Sequence, residues 1–221
     1  MATSRIAVAL AAAVVAIVLV PAVAAAQPGM VPPDPPAPPA ERFQRFHVGV
    51  HGGLRITGLD EHAAASRAQL DAYGWPSVTS PVLHGYGVDA EYLLAPLIDV
   101  GLAWSWARGE HAAGTAWADD RVRTDATLIG AVARLHWSRG RPFIPEPRVD
   151  VGLQRVRTVV HATSDTRTTP YLRAGIDWRL GTRRGGVVLA VGYTITGRAP
   201  SGALDLATGG LDLDLGPYLR F

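Results

Sequence analysis

The chain has 221 residues, 21 basic and 19 acidic side chains, 48% hydrophobic residues and no cysteine. The missing cysteine excludes a lipidated N-terminal Cys, a disulfide framework and any thiolate metal or redox chemistry. A formal charge of +2 gives no ground for nucleic-acid binding.

Residues 1–26 read as a cleaved secretory signal peptide: one Arg at position 5, an unbroken apolar run from Ile6 to Val20, then Pro21 and Ala24-Ala25-Ala26 before Gln27. Its removal takes one Arg and leaves 20 − 19 = +1 on a chain of roughly 195 residues, ordinarily one domain. Residues 27–44 form a linker whose core, Gln27 to Ala40, is half proline. Such a stretch favours extended polyproline geometry and buries no core, so it is read as a periplasmic spacer.

From Arg45 to Phe221 the hydropathy period is two, and eight strands are predicted. The first, Arg45 to Thr57, sets Phe46, Val48, Val50, Leu54 and Ile56 against Arg45, His47, Gly49, His51 and Arg55. Leu83 to Leu94 sets Tyr86, Val88, Ala90, Tyr92 and Leu94 against Asp89 and Glu91, and Leu97 to Arg108 sets Ile98, Val100, Leu102, Trp104 and Trp106 against Asp99 and Gly101. Arg121 to Trp137 sets Ile129, Ala131, Leu135 and Trp137 against Gly130, Arg134 and His136. The fifth strand is placed from near Arg148, because Pro145 and Pro147 remove ladder donors. It sets Val149, Val151 and Leu153 against Arg148 and Asp150, but Arg155 and Arg157 then fall on the apolar parity, through a bulge or because the strand has left the membrane. Tyr171 to Leu180 sets Leu172, Ile176, Trp178 and Leu180 against Arg173, Asp177 and Arg179, and Gly186 to Thr196 sets Val187, Leu189, Val191, Tyr193 and Ile195 against Gly192 and Thr194. The last strand sets Leu211, Leu213, Leu215, Pro217, Leu219 and Phe221 against Asp212, Asp214, Tyr218 and Arg220.

Connections alternate in length. Ala95-Pro96, Ser138 to Pro142 and Gly181 to Gly185 are short; Gly58 to Val82, Gly109 to Asp120, His161 to Thr169 and Gly197 to Gly210 are longer and polar. Glu61 to Tyr73, in the first long loop, has the composition of a short helix. Short turns at one end and long loops at the other match the periplasmic and extracellular ends of an outer-membrane barrel.

A soluble lipocalin-like barrel binding a small apolar ligand would have similar strands with the apolar face inside. The aromatics argue for lipid. Phe46, Tyr92, Trp137, Trp178 and Phe221 fall near the short-turn end, and Tyr86, Trp104, Trp106 and Tyr193 near the long-loop end, as two membrane interfaces require. The polar face carries seven acids (Asp89, Glu91, Asp99, Asp150, Asp177, Asp212, Asp214) and seven arginines (Arg45, Arg55, Arg134, Arg148, Arg173, Arg179, Arg220). An eight-stranded lumen is filled by side chains, so these charges are expected to pair, Asp99 with Arg134, Asp177 with Arg148, and Arg55 with Asp212 across the seam.

These features resemble the small outer-membrane barrels of bacteria that include the OmpA transmembrane domain and OmpX, over about Arg45 to Phe221. The resemblance implies an all-β, eight-stranded antiparallel up-and-down transmembrane barrel of the cell envelope. It further implies that Leu219 and Phe221 belong to a signal read by the barrel-assembly machinery during biogenesis. The neighbours expected are outer-membrane lipid and lipopolysaccharide, with no nucleic acid and an unspecified surface partner; Arg121, Arg123, Arg155 and Arg157 are placed to meet anionic head groups.

Little in the chain points to catalysis. His47 and His51 are roughly 13 Å apart along one strand, too far to chelate one metal together, so no metal or cofactor is expected. His136-Trp137-Ser138 has the His-x-Ser spacing of outer-membrane lipid A deacylases but stands at the periplasmic end, which leaves a lipid-modifying enzyme as the alternative. The carboxylate pairs Asp89/Glu91 and Asp212/Asp214 are matched by arginines and read as structural rather than as acid–base machinery. The expectation is a structural or surface-interaction protein and not an enzyme.

Overall fold

A computed structural model describes residues 45–57, 68, 82–112, 121–135, 144–160, 163–182, 184–197 and 208–221. The signal peptide, the proline-rich linker, the helix expected at 61–73, and the His136, Trp137 and Ser138 positions lie outside them.

Eight strands follow one another: β1 (Phe46–Thr57), β2 (Val82–Ala95), β3 (Ile98–Ala112), β4 (Arg121–Leu135), β5 (Pro145–Val160), β6 (Thr163–Gly181), β7 (Gly185–Thr196) and β8 (Gly210–Arg220). Each pairs antiparallel with its sequence neighbours, and β8 pairs with β1, closing the sheet into an up-and-down barrel with no free edge. At the seam Phe46 and Phe221 exchange backbone hydrogen bonds of 2.9 and 3.0 Å.

The register fixes the barrel's shape. The row Phe46↔Tyr92↔Val100↔Ala133↔Val149↔Ala174↔Tyr193↔Leu211 returns to β1 at Ile56, a stagger of 56 − 46 = 10 residues. Strand rise and spacing then give a tilt of ~40°, so one residue along a strand is worth ~2.5 Å of height and one strand crossed along a row ~3 Å.

Three expected boundaries are corrected. β5 begins at Pro145 rather than near Arg148; both prolines lie below the last β4–β5 pair, Arg134↔Arg148, where among the described residues only β6 flanks the strand. Such an edge tolerates a missing donor. The expected loop from His161 to Thr169 is mostly strand, because β5 and β6 stay paired up to Val160↔Thr163. Their β-branched residues, Val159, Val160, Thr163, Thr166, Thr168 and Thr169, favour strand without forming an apolar face. β3 likewise runs on to Ala112, into the segment read as loop.

The β4–β5 and β5–β6 ladders carry no register shift, so Arg155 and Arg157 point outward because β5 has risen past the apolar band, not through a bulge. The break in phase lies at Leu93/Ala95, before the short turn between β2 and β3.

Candidate functional site

Alternation sends the charged face of each strand into the lumen. Arg134, Asp177, Glu91, Asp89, Asp150 and Glu146 are each no more than 2% exposed, whereas Leu102 is 67%, Ile129 60% and Leu215 58% exposed. Buried charge inside and exposed aliphatic side chains outside invert a soluble barrel; water would not leave this outer face bare, and a hydrocarbon layer would. The chain is a transmembrane β-barrel.

The aromatics take the heights this requires. Counted along the register, Tyr86, Trp104, Trp106 and Tyr193 stand ~16–21 Å above Phe46, while Tyr92, Trp178 and Phe221 lie within ~6 Å of its level. Phe46 meets Tyr92 edge-on at 5.1 Å, and Tyr86 packs against Trp104 and Trp106 at 5.7 and 5.4 Å. Trp137 lies outside the described residues. Leu219 and Phe221 are exposed on the outer face at the periplasmic end.

Among the described residues the lumen holds a lower and an upper ion cluster, linked by Arg173 at 3.9 Å from Asp150. In the lower one, Arg134 Nη1 donates to Glu91 Oε2 at 2.5 Å and Nη2 to Asp177 Oδ2 at 2.6 Å. Arg179 reaches Glu91 at 3.3 Å, Asp99 at 3.5 Å and Glu146 at 3.3 Å. Arg148 donates to Asp150 at 2.8 and 3.1 Å and lies 3.5 Å from Asp89 and 3.8 Å from Asp177. In the upper cluster Arg55 Nε donates to Asp212 Oδ1 at 2.6 Å, Arg173 bridges Asp212 and Asp214, and Thr194 Oγ1 donates to Asp212 Oδ2 at 2.5 Å.

Thus Arg55 meets Asp212 and Arg148 approaches Asp177 as expected, but Arg134 pairs across the lumen with Glu91 and Asp177 rather than with its register neighbour Asp99. One arginine expected inside is elsewhere. Arg45 is exposed at the rim, donating to the Tyr92 hydroxyl at 3.2 Å, whereas Arg220 is half-buried at the lumen mouth over the buried Tyr218 ring at 5.4 Å. Glu146, hidden from the sequence reading by the flanking prolines, is 0% exposed in the lumen. The balance of seven against seven therefore becomes 7 + 1 = 8 carboxylates against 7 − 1 = 6 guanidiniums. The carboxylate surplus gathers where the two lumen histidines stand: His47 is 3.5 Å from Glu91 and 3.8 Å from Asp89, and His51 is 3.5 Å from Asp89.

His47, Asp89 and Glu91 bring potential metal-ligating atoms within 4.8 Å of one another. His51, excluded as a co-ligand by its distance along the strand, is not among them; the other two are carboxylates of β2. Two guanidiniums already supply the positive charge there, with Arg134 Nη1 and Arg179 Nη2 standing 3.3 and 3.2 Å from His47 Nδ1. This donor set fits an ion pair network better than a metal ion.

Apolar and aromatic side chains share the lumen with these charges. Tyr171 packs with Ala126 and Leu128. The Tyr218 ring takes His47 edge-on at 5.3 Å and Arg179 over its face at 5.7 Å. Gln154, 0% exposed, donates to Thr208 Oγ1 at 2.8 Å. Cavities beside the upper cluster are of about 30 and about 10 Å³, space for single waters.

No family model and no curated protein matches the chain. Among solved structures it is similar to Neisserial surface protein A (NspA), with 14% identity over 80% of this chain and 97% of that one and a TM-score of 0.47. It is similar also to the N-terminal β-barrel domain of Pseudomonas aeruginosa OprF (13% identity, 80% and 98% covered, TM-score 0.43). A third is Ail, the attachment invasion locus protein of Yersinia pestis (13% identity, 80% and 97% covered, TM-score 0.36). At these identities the likeness is one of fold.

Proposed function

We propose that the chain is an integral protein of the bacterial outer membrane whose role is structural or one of surface interaction, with a lumen closed to solutes and no catalytic centre. The observation that carries this reading is the crossing of the lumen by Arg134, whose guanidinium ties β4 to β2 and β6 through Glu91 and Asp177 while 1% exposed. A side chain fixed at both ends of its fork blocks the path a solute would take. The exported location rests on the N-terminal signal pattern together with the bare aliphatic outer face, and outer-membrane lipid and lipopolysaccharide are the neighbours this face would meet.

The test is membrane fractionation, migration with and without boiling in mild detergent, and single-channel recording in planar bilayers. A heat-shifted band from the outer-membrane fraction with no steady conductance is expected. A large steady conductance would overturn the closed lumen, and mature protein recovered without detergent would overturn the membrane reading. An unchanged lipid A mass profile upon expression is expected too; a changed one would favour the lipid-modifying alternative.

A further inference from the structure

The strands of one wall outlast those of the other. β1, β2, β7 and β8 stop at Thr57, Val82, Thr196 and Gly210, whereas β6 continues for eight residues beyond Tyr171, its last partner to β7, up to Thr163. On the outer face of this taller wall stand Arg108 of β3, Arg123 of β4, and Arg155 and Arg157 of β5. The register packs them closely: Arg108 faces Asp125, Asp125 faces Arg157, and Arg155 faces Thr127.

Asp125 accepts from Arg108 Nε at 2.6 Å and from Arg123 Nε at 3.2 Å. Arg155 and Arg157 are exposed and make no ion pair among the described residues. With Glu110 opposite Arg123, the patch carries four guanidiniums against two carboxylates, a surplus of 4 − 2 = +2. Hydroxyls flank it, Thr166 facing Arg157 and Thr168 facing Arg155, both exposed.

Height and direction say what meets this charge. The four arginines lie roughly 5 to 15 Å above the upper aromatic ring, the level of the lipid head groups and the layer just over them. They project sideways from the wall, not into the mouth, so they face neighbouring lipid molecules. At the upper ends of the opposite wall the outward residues among the described ones are Ile56, Val82, Ile195 and Leu211, all uncharged.

We propose that Arg108, Arg123, Arg155 and Arg157 form a lateral site for the phosphate groups of an outer-leaflet glycolipid. Arg108 also stacks on Trp106, its Cζ 4.9 Å from the ring centroid, which anchors the phosphate level to the aromatic belt below. Guanidiniums at neighbouring positions hold phosphate through paired, charge-assisted hydrogen bonds, and the threonine hydroxyls add donors. The proposal rests on the outer-membrane reading above and names one place on the barrel where that membrane is gripped.

The experiment uses the full mature chain folded in detergent, checked by the heat shift, and native mass spectrometry with bisphosphorylated lipid A and with the same lipid dephosphorylated. Wild type is expected to bind the bisphosphorylated form about tenfold more tightly, and Arg155→Gln/Arg157→Gln to reduce that preference to about twofold or less. Equal affinity of wild type for the two lipids overturns the proposal, and so does a folded double variant that keeps the preference. If the double variant does not fold, the wild-type comparison still decides. Displacement of lipid A by a soluble sulfated saccharide at equal or lower concentration would overturn it in favour of a soluble polyanion. Wild type that shows no heat shift would sink the membrane-barrel reading itself, an outcome distinct from failure of the phosphate site.

Discussion

Arg55 and Asp212, 157 residues apart, face each other as register partners on β1 and β8, with Arg55 Nε donating to Asp212 Oδ1 at 2.6 Å. The pair spans the one seam that joins the two ends of the barrel sequence. Arg55 also donates to the Thr208 carbonyl at 3.3 Å and Asp212 accepts from Thr194, so the seam pair is tied into β7 and the segment before β8.

Removing Arg55 takes from the buried Asp212 its closest guanidinium and leaves it Arg173 at 3.4 Å. Arg55→Met is expected to lower unfolding free energy in lipid vesicles by about 3 kcal/mol, and the Arg55→Met/Asp212→Leu double variant by less than the single one. Urea titrations of folded barrel measure both; a double variant worse than the sum of the two singles would contradict the pairing.

Arg134 carries more of the lumen. Arg134→Lys retains the charge but loses the fork that reaches Glu91 and Asp177 together. It is expected to cost about 2 kcal/mol and Arg134→Met about 4. Equal stability of wild type and Arg134→Lys, by the same titration, would show that the fork geometry is idle.

Gly49 makes room for the lower cluster. A Cβ at this position would meet Asp89 Oδ1 at 2.9 Å, and Asp89 lies 3.5 Å from both His51 and Arg148. Gly49→Val is therefore expected to displace the Asp89 carboxylate and destabilise the barrel by about 2 kcal/mol, whereas Gly52→Val, whose Cβ would come no closer than 3.9 Å to the Gly85 carbonyl, should cost under about 1 kcal/mol. Urea midpoints of the two variants, side by side, give the comparison.

Leu215 tests the outer face. It is 58% exposed and lies near the middle of the aliphatic band, so Leu215→Arg is expected to cost about 2–4 kcal/mol in a bilayer. On a water-facing surface the same change would be nearly neutral. A cost under about 0.5 kcal/mol in vesicles would remove the lipid-facing assignment.

Much of this architecture is legible along the chain because a strand's two faces are a local property. Leu211 to Phe221 alone declares its parity, and seven more segments repeat it. Where one face is not apolar the signal fails: Thr163 to Pro170 is paired strand, yet its outward positions are Ser164, Thr166, Thr168 and Pro170, so hydropathy reads it as loop. Glu146 is missed for a different reason, since its two proline neighbours argue against strand while the edge position of β5 tolerates them. Arg134 shows the limit at the site itself. Its register neighbour is Asp99, but a long side chain in a narrow lumen reaches acids two strands away on either side.

The sequence by itself determines that the chain alternates, that charge lies on one face and lipid-compatible side chains on the other, and that aromatics sort toward both ends, because side chains switch faces at every residue of any strand. Only the tertiary structure decides the stagger of 10 residues around the barrel. A slip of two residues between neighbouring strands keeps every face intact and so leaves no trace in the pattern. That stagger sets which lumen charges share a level, joining Arg134 to Glu91 and Asp177, and raises the wall on which Arg155 and Arg157 face outward above the aromatic belt.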